Sequence, residues 1–162
     1  MDIELVAASA AITLALVFYT VGVFSERKSG LLRRSHLACF WCGLVFDTTG
    51  TTLMTNMAAG GQAAGFGIHG ISGMLAIALM FVHATWATWV YVRGSGRART
   101  AFHRFSTVVW LVWLVPYVIG MLVGIPLFHL QSVCAVGTSL VVVAAIAAGL
   151  AFSSRRKGAC RA

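Results

Sequence analysis

The chain has 162 residues, of which 59% are hydrophobic and only 10% charged, and its mean hydropathy is +0.89. That is enough for one compact unit over 1–162, but surface-to-volume scaling leaves a soluble globule of this size unable to hide so much apolar surface, so lipid is the expected solvent. The net charge of +8 invites a nucleic-acid reading, which its placement excludes. Arg27, Lys28, Arg33, Arg34, Arg93, Arg97, Arg99, Arg104, Arg155, Arg156, Lys157 and Arg161 form three clusters between or after long apolar runs, the pattern of cytoplasmic loops. Anionic lipid is a secondary partner of such clusters.

The pattern predicts an all-α membrane protein, a bundle of five transmembrane helices. Helix one runs from about Ile3 to Phe24, and its acidic start, Met-Asp-Ile-Glu, is unlike a cleaved secretory signal. Helix two spans about His36 to Met57, ending at an uncharged loop that carries Gly60, Gly61 and Gly65. Helix three spans about Phe66 to Val92, closed by Arg93-Gly-Ser-Gly-Arg-Ala-Arg. Helix four spans about His103 to Val123 and turns at Gly124-Ile-Pro126; helix five spans about Leu130 to Phe152. Each has about 20 residues or more, the length that crosses about 30 Å of hydrocarbon. With the N-terminus outside and the C-terminus inside, all twelve basic residues fall on the cytoplasmic side of a multi-pass cell-membrane protein.

Asp47 lies near the middle of helix two, where a carboxylate costs about 3 kcal/mol to insert. It is expected to be buried between helices and hydrogen-bonded. Thr48, Thr49, Thr51 and Thr52 offer hydroxyls, and Gly50 permits close helix approach. Asp47, Thr48 and Thr51 thus form either a proton relay or polar glue.

The histidines are His36, His69, His83, His103 and His129. His69 and His83 share helix three, and fourteen steps of about 100° bring their rings to nearly one face, about 21 Å apart along the axis. Stacked b-type haem sites use such spacing, with imidazoles from two helices on each iron. Depth arithmetic places His83 with His36 or His103 in an inner layer, and His69, with His129, in an outer one. His83, His36, His103 and His69 are therefore the candidate ligands of haem iron. Because Asp47 and His83 count to the same depth from the inner edge, a His83–Asp47 hydrogen bond is the rival arrangement. Trp86 and Trp89, repeated in spacing by Trp110 and Trp113, are read as packing or belt aromatics. Cys39 and Cys42 form a CxxC inside an apolar helix with no histidine after it, so it is not a haem-c attachment signal; they are read as small membrane-embedded thiols, Cys134 carries no signal, and Cys160, in the basic tail, is expected to be reduced. No nucleophile–base pair, HExxH or phosphate loop is present, and an enzymatic activity has no visible carrier.

Several of these residues stand in stretches that together resemble the HsmA-like family of small prokaryotic membrane proteins, over most of the chain. They are Thr13 to Thr20 with Ser25-Glu26, then His36, Phe40-Trp41, Gly43-Leu44 and Asp47 to Thr51. His69-Gly70, His83-Ala84, Trp86-Ala87, Phe102-His103, Phe105-Ser106 and Pro116-Tyr117 continue the pattern. The resemblance implies a small polytopic protein and supplies no ligand assignment.

Three readings of function follow as expectations. The first is binding of haem b and transfer of electrons within or across the membrane, with a quinone or a redox protein as partner. The alternative is a proton-coupled or metal-ion carrier with an Asp47–His83 relay, or a non-catalytic subunit. Further copies of the chain are a third kind of expected partner.

Overall fold

The computed structural model describes residues 3–60, 68–124 and 132–159. The helices are α1 (Ile3–Ser29), α2 (Arg34–Gly60), α3 (Ile68–Arg93), α4 (Gly96–Gly124) and α5 (Ser132–Ala159). All five are long and apolar enough to cross a membrane, and no strand occurs among the described residues. At about 1.5 Å per residue each is about 40 Å long, more than the hydrocarbon thickness.

Local chemistry sets the two tight connections. Gly30 closes α1 in the left-handed region (φ 65°), its N–H donating to the Glu26 carbonyl at 3.1 Å. Arg33 then starts α2: its carbonyl accepts from His36 N at 3.1 Å, while its own N–H donates to His36 Nδ1 at 3.2 Å. His36 therefore acts as the third residue of a capping box, where a side chain reaches back to the first backbone donor.

Between α3 and α4, Gly94 N donates to the Val90 carbonyl at 2.9 Å, and a side chain at Gly94 would collide with that carbonyl. Ser95 caps α4 through its carbonyl, which accepts from Arg99 N at 3.1 Å, and its hydroxyl, 3.4 Å from Ala98 N. Helix α4 thus begins at Gly96, seven residues before His103, and Arg97 and Arg99 are helical residues rather than loop.

Two compact units are distinguished, Met1–Trp113 and Leu114–Ala162. In the first, α1 and α2 pack antiparallel through small residues: Ala8, Ala11, Ala15 and Gly22 are buried on α1, and Gly43 and Gly50 on α2. The register is fixed by Gly22 against Phe40, Gly43 against Tyr19 and Gly50 against Ile12. Without water to drive helices together, such close backbone approach supplies dispersion contact. Helices α2 and α3 meet antiparallel as well, through Arg34–Tyr91, Trp41–Thr88 and Phe40–His83. So do α3 with α4, through His83–Ser106 and Trp86–Phe105, and α4 with α1, through Trp113–Tyr19 and Trp110–Phe24. The result is an up-and-down four-helix arrangement in which α4 runs only to Trp113.

The second unit comprises the remainder of α4, with Pro116 inside the helix, and α5, whose Val133, Leu140 and Val141 are exposed.

Burial is inverted relative to a soluble protein. Val45, Leu75 and Val82 are exposed, while Glu26, His36, Asp47, His83 and Ser106 are buried. A bilayer makes that distribution favourable, since apolar side chains face lipid and polar ones need partners inside.

Candidate functional site: buried carboxylates in the helix bundle

Asp47 is 4% exposed, on the inner face of α2. Its Oδ2 accepts from Trp113 Nε1 at 2.8 Å and lies 3.5 Å from the Tyr19 hydroxyl. The Trp113 bond crosses from α2 to α4, and the Tyr19 contact comes from α1. Gly43, one turn before Asp47, makes room for the Tyr19 ring, which also meets Trp113 edge-on at 4.9 Å. Among the described residues no cation lies within ion-pair distance of Asp47.

The neighbouring threonines do not serve the carboxyl. Thr48, Thr49, Thr52 and Thr55 each donate to the carbonyl four residues back, at 2.7–2.8 Å. Thr48 is exposed, and Thr51 is half-buried with its methyl facing Gly73 of α3. On a helix a hydroxyl can satisfy itself locally, which leaves the carboxyl to longer donors on other helices.

His83 is fully buried on α3, and its Nε2 is 3.0 Å from Ser106 Oγ on α4. Phe102 stacks on the imidazole at 5.4 Å with a 4° interplanar angle, Phe40 stands edge-on at 4.5 Å, and Nδ1 has no hydrogen-bond partner. The rival arrangement, a His83–Asp47 hydrogen bond, is not the one adopted. On α2 the residue against His83 is Phe40, and Asp47 is seven residues further, about 10 Å along the axis. The helix ends used in that depth count lie within two residues of Arg34 and Arg93; it is the register of α2 on α3, which depth from the ends does not give, that sets Phe40 and not Asp47 against His83.

A second carboxylate, not among the site residues expected from sequence, lies at the other end of the α1–α4 seam. Glu26 is 1% exposed, and its Oε1 is 2.5 Å from His103 Nδ1. Those atoms meet at ion-pair distance without hydrogen-bond geometry, and neither Glu26 oxygen has another hydrogen-bond partner. Sequence did carry a signal: Glu26 continues the buried α1 series Ala8, Ala11, Ala15, Tyr19, Gly22 at helical spacing. Along the seam, Tyr19 and Glu26 are about 10 Å apart, with Trp110 between them, its Nε1 donating to Thr20 Oγ1 at 3.2 Å.

Haem ligation at His83 would require Nε2 to face iron, with a second imidazole opposite. Nε2 is turned to Ser106, Phe102 and Phe40 cover the ring, Nδ1 of His36 is used as a cap, and His103 faces Glu26. This packing does not fit haem at His83. Among the described residues no group of three or more His, Cys, Asp or Glu is placed to hold a metal ion. The side chain of His69 and the whole of His129 lie outside the described residues.

The arrangement holds carboxyl groups away from water, beside donors on other helices. Such groups bind and release protons, and the cost of burying their charge is removed when a proton is bound. No protein-family model, no characterised protein and no solved structure matches the chain.

Proposed function

We propose that the α1–α4 bundle is an intramembrane proton carrier in which Asp47 is the proton-binding group. The observation that carries this reading is a buried carboxylate at mid-span, held by donors on two other helices with no cation beside it among the described residues. Counted from the ends of its apolar span, Arg34–Met57, it is about 20 Å and about 15 Å deep. Intramembrane ionisable residues that face a bundle interior mark proton relays and ion pathways by default.

The membrane is the cytoplasmic membrane, with the N-terminus outside and the basic end of the bundle inside, on the charge rule. The resemblance to the HsmA-like family belongs to the same proposal. It rests on the resembling stretches themselves, which include Tyr19, Glu26, Asp47, His83, His103 and Ser106.

Purified protein in liposomes enclosing a pH-sensitive dye tests the reading under an imposed potassium diffusion potential. Wild type is expected to acidify or alkalinise the lumen according to the sign of the potential, and Asp47→Asn to return flux to the protein-free level. Equal flux in Asp47→Asn and wild type overturns the proposal. Electron transfer through haem b to a quinone or redox protein is the competing reading. A reduced-minus-oxidised spectrum with Soret and α-bands that vanish in His83→Ala would replace the proton reading with it.

A further inference from the structure

Antiparallel packing gathers one end of every helix in the first unit. The C-terminal turn of α1, the start of α2, the end of α3 and the start of α4 share that end, with Arg27, Lys28, Arg33, Arg34, Arg93, Arg97, Arg99 and Arg104, all exposed. Glu26 lies at this basic end and is 1% exposed, yet the ion pair found for it among the described residues is with His103. A permanent guanidinium would have held the carboxylate ionised; a histidine gains and loses its charge with a single proton. His103 is 25% exposed at its side chain and adjoins the exposed Arg104, so the pair has one buried member and one member at the basic end of the bundle.

Other groups that face the pair are accounted for. By the α1–α2 register His36 stands across from Glu26, but its Nδ1 accepts from Arg33 N. Tyr91 of α3 accepts from Arg34 Nε at 3.2 Å. A metal ion is a poor occupant: at about 2.1 Å from both a nitrogen and an oxygen it needs those atoms well apart, and they stand 2.5 Å apart.

We infer that Glu26 and His103 form a second proton-binding site, the port through which the bundle exchanges protons with water at its basic end. The step is a simple balance. A proton from water binds the His103 imidazole, converting a carboxylate beside a neutral ring into an ion pair; its return to water, or onward passage through water to the interior, restores the first state. The seam then carries two acidic groups, Glu26 near the surface and Asp47 in the interior, flanking Trp110. The port role rests on Asp47 being the interior site; the proton binding by the pair does not.

The test uses full-length protein in the same dye-loaded liposomes. Glu26→Gln and His103→Ala are each expected to lower flux about a hundredfold, the lower end of what a positioned proton-transfer group contributes. Glu26→Asp, which keeps the carboxylate, retains most of the flux. Imidazole in the buffer restores flux to His103→Ala and leaves Asp47→Asn inactive, a rescue that lost packing does not give. Normal flux in Asp47→Asn refutes the interior site whatever the pair does. An inactive Asp47→Asn beside full flux in both Glu26→Gln and His103→Ala overturns the port while leaving Asp47 in place. Loss of flux that imidazole fails to restore, in protein that elutes and unfolds like wild type, assigns the pair a packing role and also overturns it.

Discussion

Replacing Gly43 with alanine perturbs the Asp47 site through one methyl group. A Cβ at Gly43 stands 2.5 Å from both Cδ1 and Cε1 of the Tyr19 ring and 3.1 Å from Cζ. Carbon atoms in contact prefer about 3.5–4.0 Å, so the ring must retreat by about 1 Å. It has little freedom to do so, being fully buried and set edge-on against Trp113 at 4.9 Å. Overpacking of this kind costs about 1–3 kcal/mol. Gly73→Ala is the control, because its methyl would meet the Thr51 methyl at 3.3 Å, a contact that a few tenths of an ångström relieves. Both changes gain the same helix propensity, so their difference isolates the collision. In reversible unfolding in mixed micelles, Gly43→Ala should be less stable than Gly73→Ala by about 1–3 kcal/mol. A difference within about 0.5 kcal/mol, inside ordinary surface-substitution scatter, would refute the close approach of α1 and α2 at this level.

Two further outcomes follow from the same geometry. In a double-mutant cycle, Trp113→Phe and Asp47→Asn should show a coupling of about 0.6–1.7 kcal/mol, the range for interhelical hydrogen bonds in membranes, and additivity would mean that the 2.8 Å bond contributes nothing. In a cysteine-free background, Glu4→Cys should react with a membrane-impermeant thiol reagent only from outside the cell, and Gly96→Cys only from the cytoplasm; reaction of both from one face would contradict an antiparallel bundle with its basic end inside.

What sequence made legible depended on whether a signal was local. Apolar length and the basic clusters are local, so five helices could be placed from them. The capping at Ser95 is local too, but Arg93-Gly-Ser-Gly-Arg-Ala-Arg reads as one loop by composition, whereas helix α4 starts at Gly96. Asp47 stood out because a carboxylate at mid-helix is anomalous in any context. Its partners were not legible, since Tyr19 and Trp113 lie 28 and 66 residues away and only helix packing brings them together. The threonines beside Asp47 drew attention by adjacency, yet adjacent residues on a helix point in different directions, and their hydroxyls found backbone carbonyls. His83 was identified as deep and in need of a partner, which is Ser106 rather than another histidine or Asp47. Glu26 was obscured by its neighbours Arg27 and Lys28, which made it look like part of a charged helix end. Its burial shows only in the periodicity of α1.

The most direct test of the account is whether Asp47 takes up and releases a proton inside the bundle. Infrared difference spectra of membrane-reconstituted protein between acid and alkaline buffer report this as a carboxyl C=O stretching band. The account predicts a band that is present in wild type, moves on carboxyl-13C labelling of aspartate, shifts when Trp113→Phe removes its donor, and is absent in Asp47→Asn. A spectrum of Asp47→Asn superimposable on that of wild type would contradict it.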